Sequence, residues 1–79
     1  MTTLYTYRDD QTGHEDILTA AQVRADLTGI HDNLNPANAD AWPVWHAVGC
    51  AVAHIDAGRM DKAAGMLSEI GITLTEAAS

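Results

Sequence analysis

The run from Ala41 to Ile55, AWPVWHAVGCAVAHI, most constrains what this chain can become. Trp42, Val44, Trp45, Ala47, Val48, Ala51, Val52, Ala53 and Ile55 leave a helix here apolar on nearly every side. Such a helix has to be enclosed by other elements, because it has no wet face of its own. Only 79 residues are there to enclose it, which is near the lower limit for a core unaided by disulfides, metals or a second subunit. The chain therefore reads as a single small acidic domain, residues 1–79, built around one central helix. Its 47% apolar content supports a folded domain over a disordered tail.

The remaining segments divide by their turn and capping signals. TTLYTYR, residues 2–8, has the Thr and Tyr content of a strand, and DDQTG is a turn cluster in which Gly13 can take a positive φ. HEDIL offers the return strand, so a β-hairpin is expected over Thr2–Leu18. Thr19-Ala20-Ala21-Gln22 has the form of a capping box, with Leu18 and Val23 placed as its hydrophobic staple. The spacing of Ala20, Val23 and Leu27 predicts a first helix over Ala20–Thr28, stopped by Gly29. IHDNLNPANAD is a polar connector ending in Asp40, a good N-cap, and Pro43 then falls in the first turn, where no helical donor is lost. Helix two is expected over Ala41–Ala57, ended by Gly58. MDKAAGMLSEI, residues 60–70, carries the apolar spacing of a third helix ended by Gly71. ITLT, residues 72–75, is short and alternating and fits a third strand beside the hairpin, with EAAS as a frayed tail. The fold class is α+β: an N-terminal hairpin, three helices and a short C-terminal strand completing a small antiparallel sheet. The stretch from 44 to 70 is similar in style to one tetratricopeptide-like helical hairpin, but one unit cannot bury its own face.

Within the apolar run, His46, Cys50 and His54 stand four residues apart. Each step turns about 40° around a helix axis, so the three form one slanted ridge, and imidazole and thiolate are good Zn²⁺ ligands. The bland reading is stronger: Cys50 is a small core residue, and Gly49, Ala53 and Ala57 make a small-residue ridge that lets helix three approach. No metal site and no cofactor are assigned. A thiol in apolar surroundings is also inert as a nucleophile.

Eleven acidic residues against four basic give a net charge of -7, and residues 1–40 hold seven of the acidic side chains but two of the basic ones. That balance disfavours direct nucleic-acid binding, which needs clustered Lys and Arg. DDQTG also fails the alternating calcium-loop pattern and lacks its closing Glu. Neither a phosphate-binding glycine loop nor a Ser-His-Asp order occurs, so no catalytic residue is assigned and the chain is not read as an enzyme. Tyr5 and Tyr7 share one side of the first strand, with Leu4 and Thr6 on the other; one pair faces the helices. His14 and His31 read as lone loop histidines. The opening residues lack the basic start and apolar run of a signal peptide, no segment reaches the ~20 apolar residues of a membrane span, and the single cysteine fits a reducing compartment; a cytoplasmic location follows as an expectation.

The expected function is a non-enzymatic protein-binding module whose acidic face, Asp9, Asp10, Glu15, Asp16, Asp26 and Asp32, meets a basic protein surface. In size and charge the chain resembles the small acidic proteins encoded by phages and mobile elements, including DNA mimics and anti-CRISPR proteins. That resemblance implies a stoichiometric inhibitor of nucleic-acid-binding machinery; it covers no motif and gives no residue a role. The alternatives are a small metal-binding protein using His46, Cys50 and His54, and an oligomerisation module, with a homodimer covering the apolar second helix.

Overall fold

The structure, a computed structural model, describes residues 2–78, and its architecture is the expected α+β one in two layers. Strands β1 (Leu4–Asp9) and β2 (Glu15–Thr19) form the hairpin, and β3 (Ile72–Ala78) returns to pair with β1, giving the antiparallel order β2-β1-β3. Helices α1 (Ala20–Asn33), α2 (Trp42–Asp56) and α3 (Met60–Ser68) lie between β2 and β3 in the chain. No helix among the described residues is long and apolar enough to cross a membrane.

The hairpin turns where the sequence has its turn residues. The Asp9 amide donates to the His14 carbonyl at 2.9 Å, the Gly13 amide donates to the Asp9 carbonyl at 2.7 Å, and Gly13 sits at φ 76°. In the ladder that follows, Tyr7 stands opposite Asp16 of β2 and opposite Leu74 of β3. Alternation then sends Tyr5, Tyr7, Leu18, Ile72 and Leu74 to the side where the helices pack. Tyr7 is buried and Tyr5 half-buried, so the tyrosine pair is the one turned inward. Leu4, Thr6, Arg8, Ile17, Thr73 and Thr75 take the opposite side, where Ile17 is exposed.

α1 opens as its sequence predicts: the Gln22 amide donates to Thr19 Oγ1 at 3.2 Å while the Thr19 amide donates to Gln22 Oε1 at 2.9 Å. The helix does not stop at Gly29. It continues to Asn33, because Ile30 still packs against the core and His31 still stacks on Trp45. A glycine costs a helix interior only about 0.5–1 kcal/mol, less than those contacts return. His31 is thus a residue of a helix's last turn and not of a loop.

α2 begins at Trp42 without the expected Asp40 cap. The N-cap is Ala41, with no side-chain bond, and the Asn38 carbonyl accepts both the Ala41 and Trp42 amides. Asn35 and Asn38 fold the connector instead, their side-chain oxygens accepting the Ala37 and Asp40 amides, each at 3.0 Å. Gly58, at φ 76°, ends α2 as expected, and the Arg59 amide closes onto the His54 carbonyl at 2.8 Å. α3 ends at Ser68, two residues before the expected limit, and Gly71 at φ 81° turns the chain into β3. Glu76 to Ala78, expected as frayed tail, are ladder residues: Glu76 pairs with Tyr5 and Ala78 with Leu4. The last residue of that tail, Ser79, lies outside the described residues.

Val23, Leu27, Val48, Ala51, Ala63 and Leu67 are fully buried and, with Tyr7 and Leu74, form one core shared by all three helices and the sheet. α2 is its central helix, packed on both α1 and α3. Ala47, Val48 and Ala51 are its buried side, while Trp42 remains 47% exposed and His46 and Ala53 are exposed. Enclosure on every side is therefore not reached, because two helices and a three-stranded sheet cover only one side of it.

Gly29 and Gly65 lie inside helices, and a Cβ at either would meet nothing within 4 Å. Gly29→Ala and Gly65→Ala are each expected to stabilise the fold by about 0.5–1 kcal/mol, a rise of a few degrees in Tm measured by thermal circular dichroism.

Candidate functional site

The six acidic residues singled out by the sequence fall into three places. Asp9, Asp16 and Asp26, from β1, β2 and α1, lie near enough to the Tyr7 phenol for their charge to act on it. Burial first, then the charges of Asp26, Asp9 and Asp16, push that phenol from 10.0 to about 12, because a phenolate there would lose water and face three carboxylates. His14 Nε2 lies 2.9 Å from the Asp16 carboxylate and is the cation-forming group nearest to it.

Asp10 and Glu15 lie instead around Arg8, on the outer side of the sheet. Glu15 is the cross-strand partner of Arg8, and Asp10 Oδ1 is 3.7 Å from the Arg8 Nε. Asp32 sits in the last turn of α1, about 9 Å along the axis from Asp26, with its Oδ1 3.8 Å from His31 Nδ1. The acidic residues thus wrap the hairpin end and one side of α1 without forming one continuous face.

Two of the six also have structural work. Asp9 Oδ1 accepts the Gln11 amide at 2.9 Å and shapes the turn. Asp10 accepts the Thr73 hydroxyl at 3.0 Å, and its amide donates to the Gly71 carbonyl at 2.9 Å, fastening the hairpin end to β3. Asp26 and Glu15 make no such bond among the described residues and are exposed, which leaves them free to meet a partner.

The His46-Cys50-His54 ridge is divided by its own winding. Cys50 Sγ is 3.7 Å from His46 Nε2, and both line an open cavity of about 240 Å³ with His31, Trp45, Gly49 and Ala53. His54 is not part of it; its Nδ1 is buried with no hydrogen-bond partner among the described residues. No group of three or more ligating side chains able to hold a metal ion occurs among them either.

Gly49, expected to face helix three, faces α1: a Cβ there would lie 3.3 Å from His31 Nε2. Ala53 and Ala57 are exposed. The absence of a side chain at Gly49 lets the His31 ring lie across α2 and stack on Trp45, centroids 4.9 Å apart. Trp42 stacks on His46 at the same separation with the rings 7° from parallel. Beside this stripe Arg24 of α1 and Asp56 of α2 form a two-bond ion pair, whose hydrogen bonding holds the Asp56 carboxyl below its ordinary range.

Sequence reasoning allowed α2 an uncovered side only as the homodimer alternative and did not say which residues form it. The spacing of Trp42, Trp45, His46, Gly49 and Ala53 was the available signal, but a helix apolar all round does not say which side stays open.

Set against protein-family models, curated proteins and solved structures, the chain matches none of them.

The raised Tyr7 phenol fixes a pH dependence. Above pH 10 an unfolded chain gives up this proton and the folded one holds it until about 12, so the contribution is complete below 10 and is lost through that window. The urea midpoint is expected to fall between about pH 9 and about pH 11.5, and to fall less in Tyr7→Phe.

Proposed function

We propose that this domain is a non-enzymatic binding module whose acidic surface captures a basic protein. The observation that carries the reading is the net charge of -7, with Asp9, Asp16 and Asp26, from three separate elements, all within electrostatic reach of one buried phenol. Carboxylates held on a rigid hairpin and helix lose little freedom on meeting Lys or Arg side chains, and an excess of one sign steers a cationic partner into encounter. The same charge repels phosphate, so a nucleic acid is not the direct partner.

A basic protein whose own ligand is a nucleic acid presents the surface this chain would complement. The concrete form of the proposal is a cytoplasmic, stoichiometric inhibitor of nucleic-acid-binding machinery, in the manner of the small acidic phage and mobile-element proteins it resembles in size and charge. Glu15, Asp16, Asp26 and Asp32 make the contacts, with Asp9 and Asp10 adding charge while holding the turn.

The test separates charge from folding. Glu15, Asp16, Asp26 and Asp32 are replaced together by Lys, leaving the bonded Asp9 and Asp10 in place, and circular dichroism checks the fold. Wild-type chain on a surface is expected to capture basic nucleic-acid-binding proteins of its native host at low salt, with association slowing at least tenfold in the variant and with rising salt. Equal capture by the two chains removes the proposal.

A further inference from the structure

We propose that His46 and Cys50 are half of a tetrahedral Zn²⁺ site, completed by the same pair on a second copy of the chain. The distance between them carries the proposal. Bonds of about 2.0–2.1 Å to imidazole nitrogen and 2.3 Å to thiolate, at the tetrahedral angle, put the two ligand atoms about 3.6 Å apart. Cys50 Sγ and His46 Nε2 stand at 3.7 Å.

The pair is also held and reachable. Trp42 lies flat against the His46 ring at 4.9 Å and restrains its plane, and Nε2 is the ring nitrogen that meets the thiol. His46 is exposed, Cys50 is half-buried, and both border the open cavity of about 240 Å³. No carboxylate lines that cavity, although the chain as a whole is strongly acidic. A second copy therefore meets it without setting acid against acid.

Two ligands per chain do not close a structural zinc site, which takes four, and among the described residues no third ligand gathers with them. A twofold axis through the metal supplies the other two as a Cys₂His₂ set. Ala53, exposed and about one turn beyond Cys50, is small enough for a second copy of α2 to pack close there. From Trp42 to Ala53 the stripe runs about 16 Å, which is too short to bury the roughly 1,200 Å² of a stable interface by itself. The dimer is accordingly metal-dependent. Each thiol releases its proton to solvent as it binds, so two thiolates neutralise the ion and binding weakens as the pH falls.

None of these residues belongs to the carboxylate group, so the two proposals fail separately. The full chain, stripped with a chelator and kept reduced, is followed by analytical ultracentrifugation during titration with Zn²⁺, and by absorption during titration with Co²⁺. The expected result is a monomer that becomes a dimer at one metal per two chains, with tetrahedral cobalt bands and a thiolate-to-cobalt charge-transfer band. His46→Gln, at an exposed position that leaves the core intact, and Cys50→Ser are each expected to lose both signals, while His14→Gln keeps them. A dimer that forms without metal, metal bound one per chain with no dimer, or a cobalt-linked dimer that survives His46→Gln overturns the proposal.

Discussion

The one buried cluster that Val48 and Ala51 share with the other two helices and the sheet is what the molecule depends on. Val23 and Leu27 of α1, Ala63 and Leu67 of α3, and Tyr7 and Leu74 of the sheet all belong to the same buried cluster as these two. Full burial of a Val or Leu side chain is worth about 1.5–3 kcal/mol, a large share of the 5–15 kcal/mol by which a whole domain is stable. A chain this short has one such cluster to share, so each element is held by what it contributes there. The same shortage of material explains what is left open: the outer side of the sheet and the far side of α2 have nothing left to cover them.

Polar groups are placed around that core in a way that divides their work. Thr19 and Gln22 hold the entry to α1, Asn35 and Asn38 fold the connector, and Asp9 and Asp10 fasten the hairpin end. The acid at the hairpin is therefore partly architectural. What remains unbonded, on β2 and along α1, is charge without a structural task, and the burial of Tyr7 beneath it keeps a neutral phenol where a phenolate would face three carboxylates.

The open side of α2 has the opposite character. Its residues are aromatic, small or neutral, and they are ordered by two stacked pairs, His31 on Trp45 and Trp42 on His46. An acidic surface around the hairpin and a stripe without carboxylates on α2 are two unlike surfaces on one small domain; the proposed cationic partner would use the first and the proposed metal-linked copy the second. The two readings rest on different atoms and different forces, Coulomb attraction in one and coordination bonds in the other.

Local chemistry was legible in the sequence wherever it is decided within a few residues. The capping box at Thr19, the turns at Gly13 and Gly71, the stop at Gly58 and the third strand at Ile72 all follow from residues that act on their own backbone or alternate along it. Misreadings arose where a distant contact outweighed a local preference. α1 runs through Gly29 because Ile30 and His31 find partners in the core and on Trp45, and Glu76 to Ala78 are strand because β1 offers them an edge. The sequence by itself determined the elements, the acidity and the four-residue spacing of His46, Cys50 and His54 on α2. Only the tertiary structure decided which side of α2 stays uncovered, that His46 meets Cys50 while His54 turns inward, and that Asp26 joins Asp9 and Asp16 at Tyr7. Those outcomes depend on how three helices share one small core, and a residue's own neighbours in the chain carry no information about that.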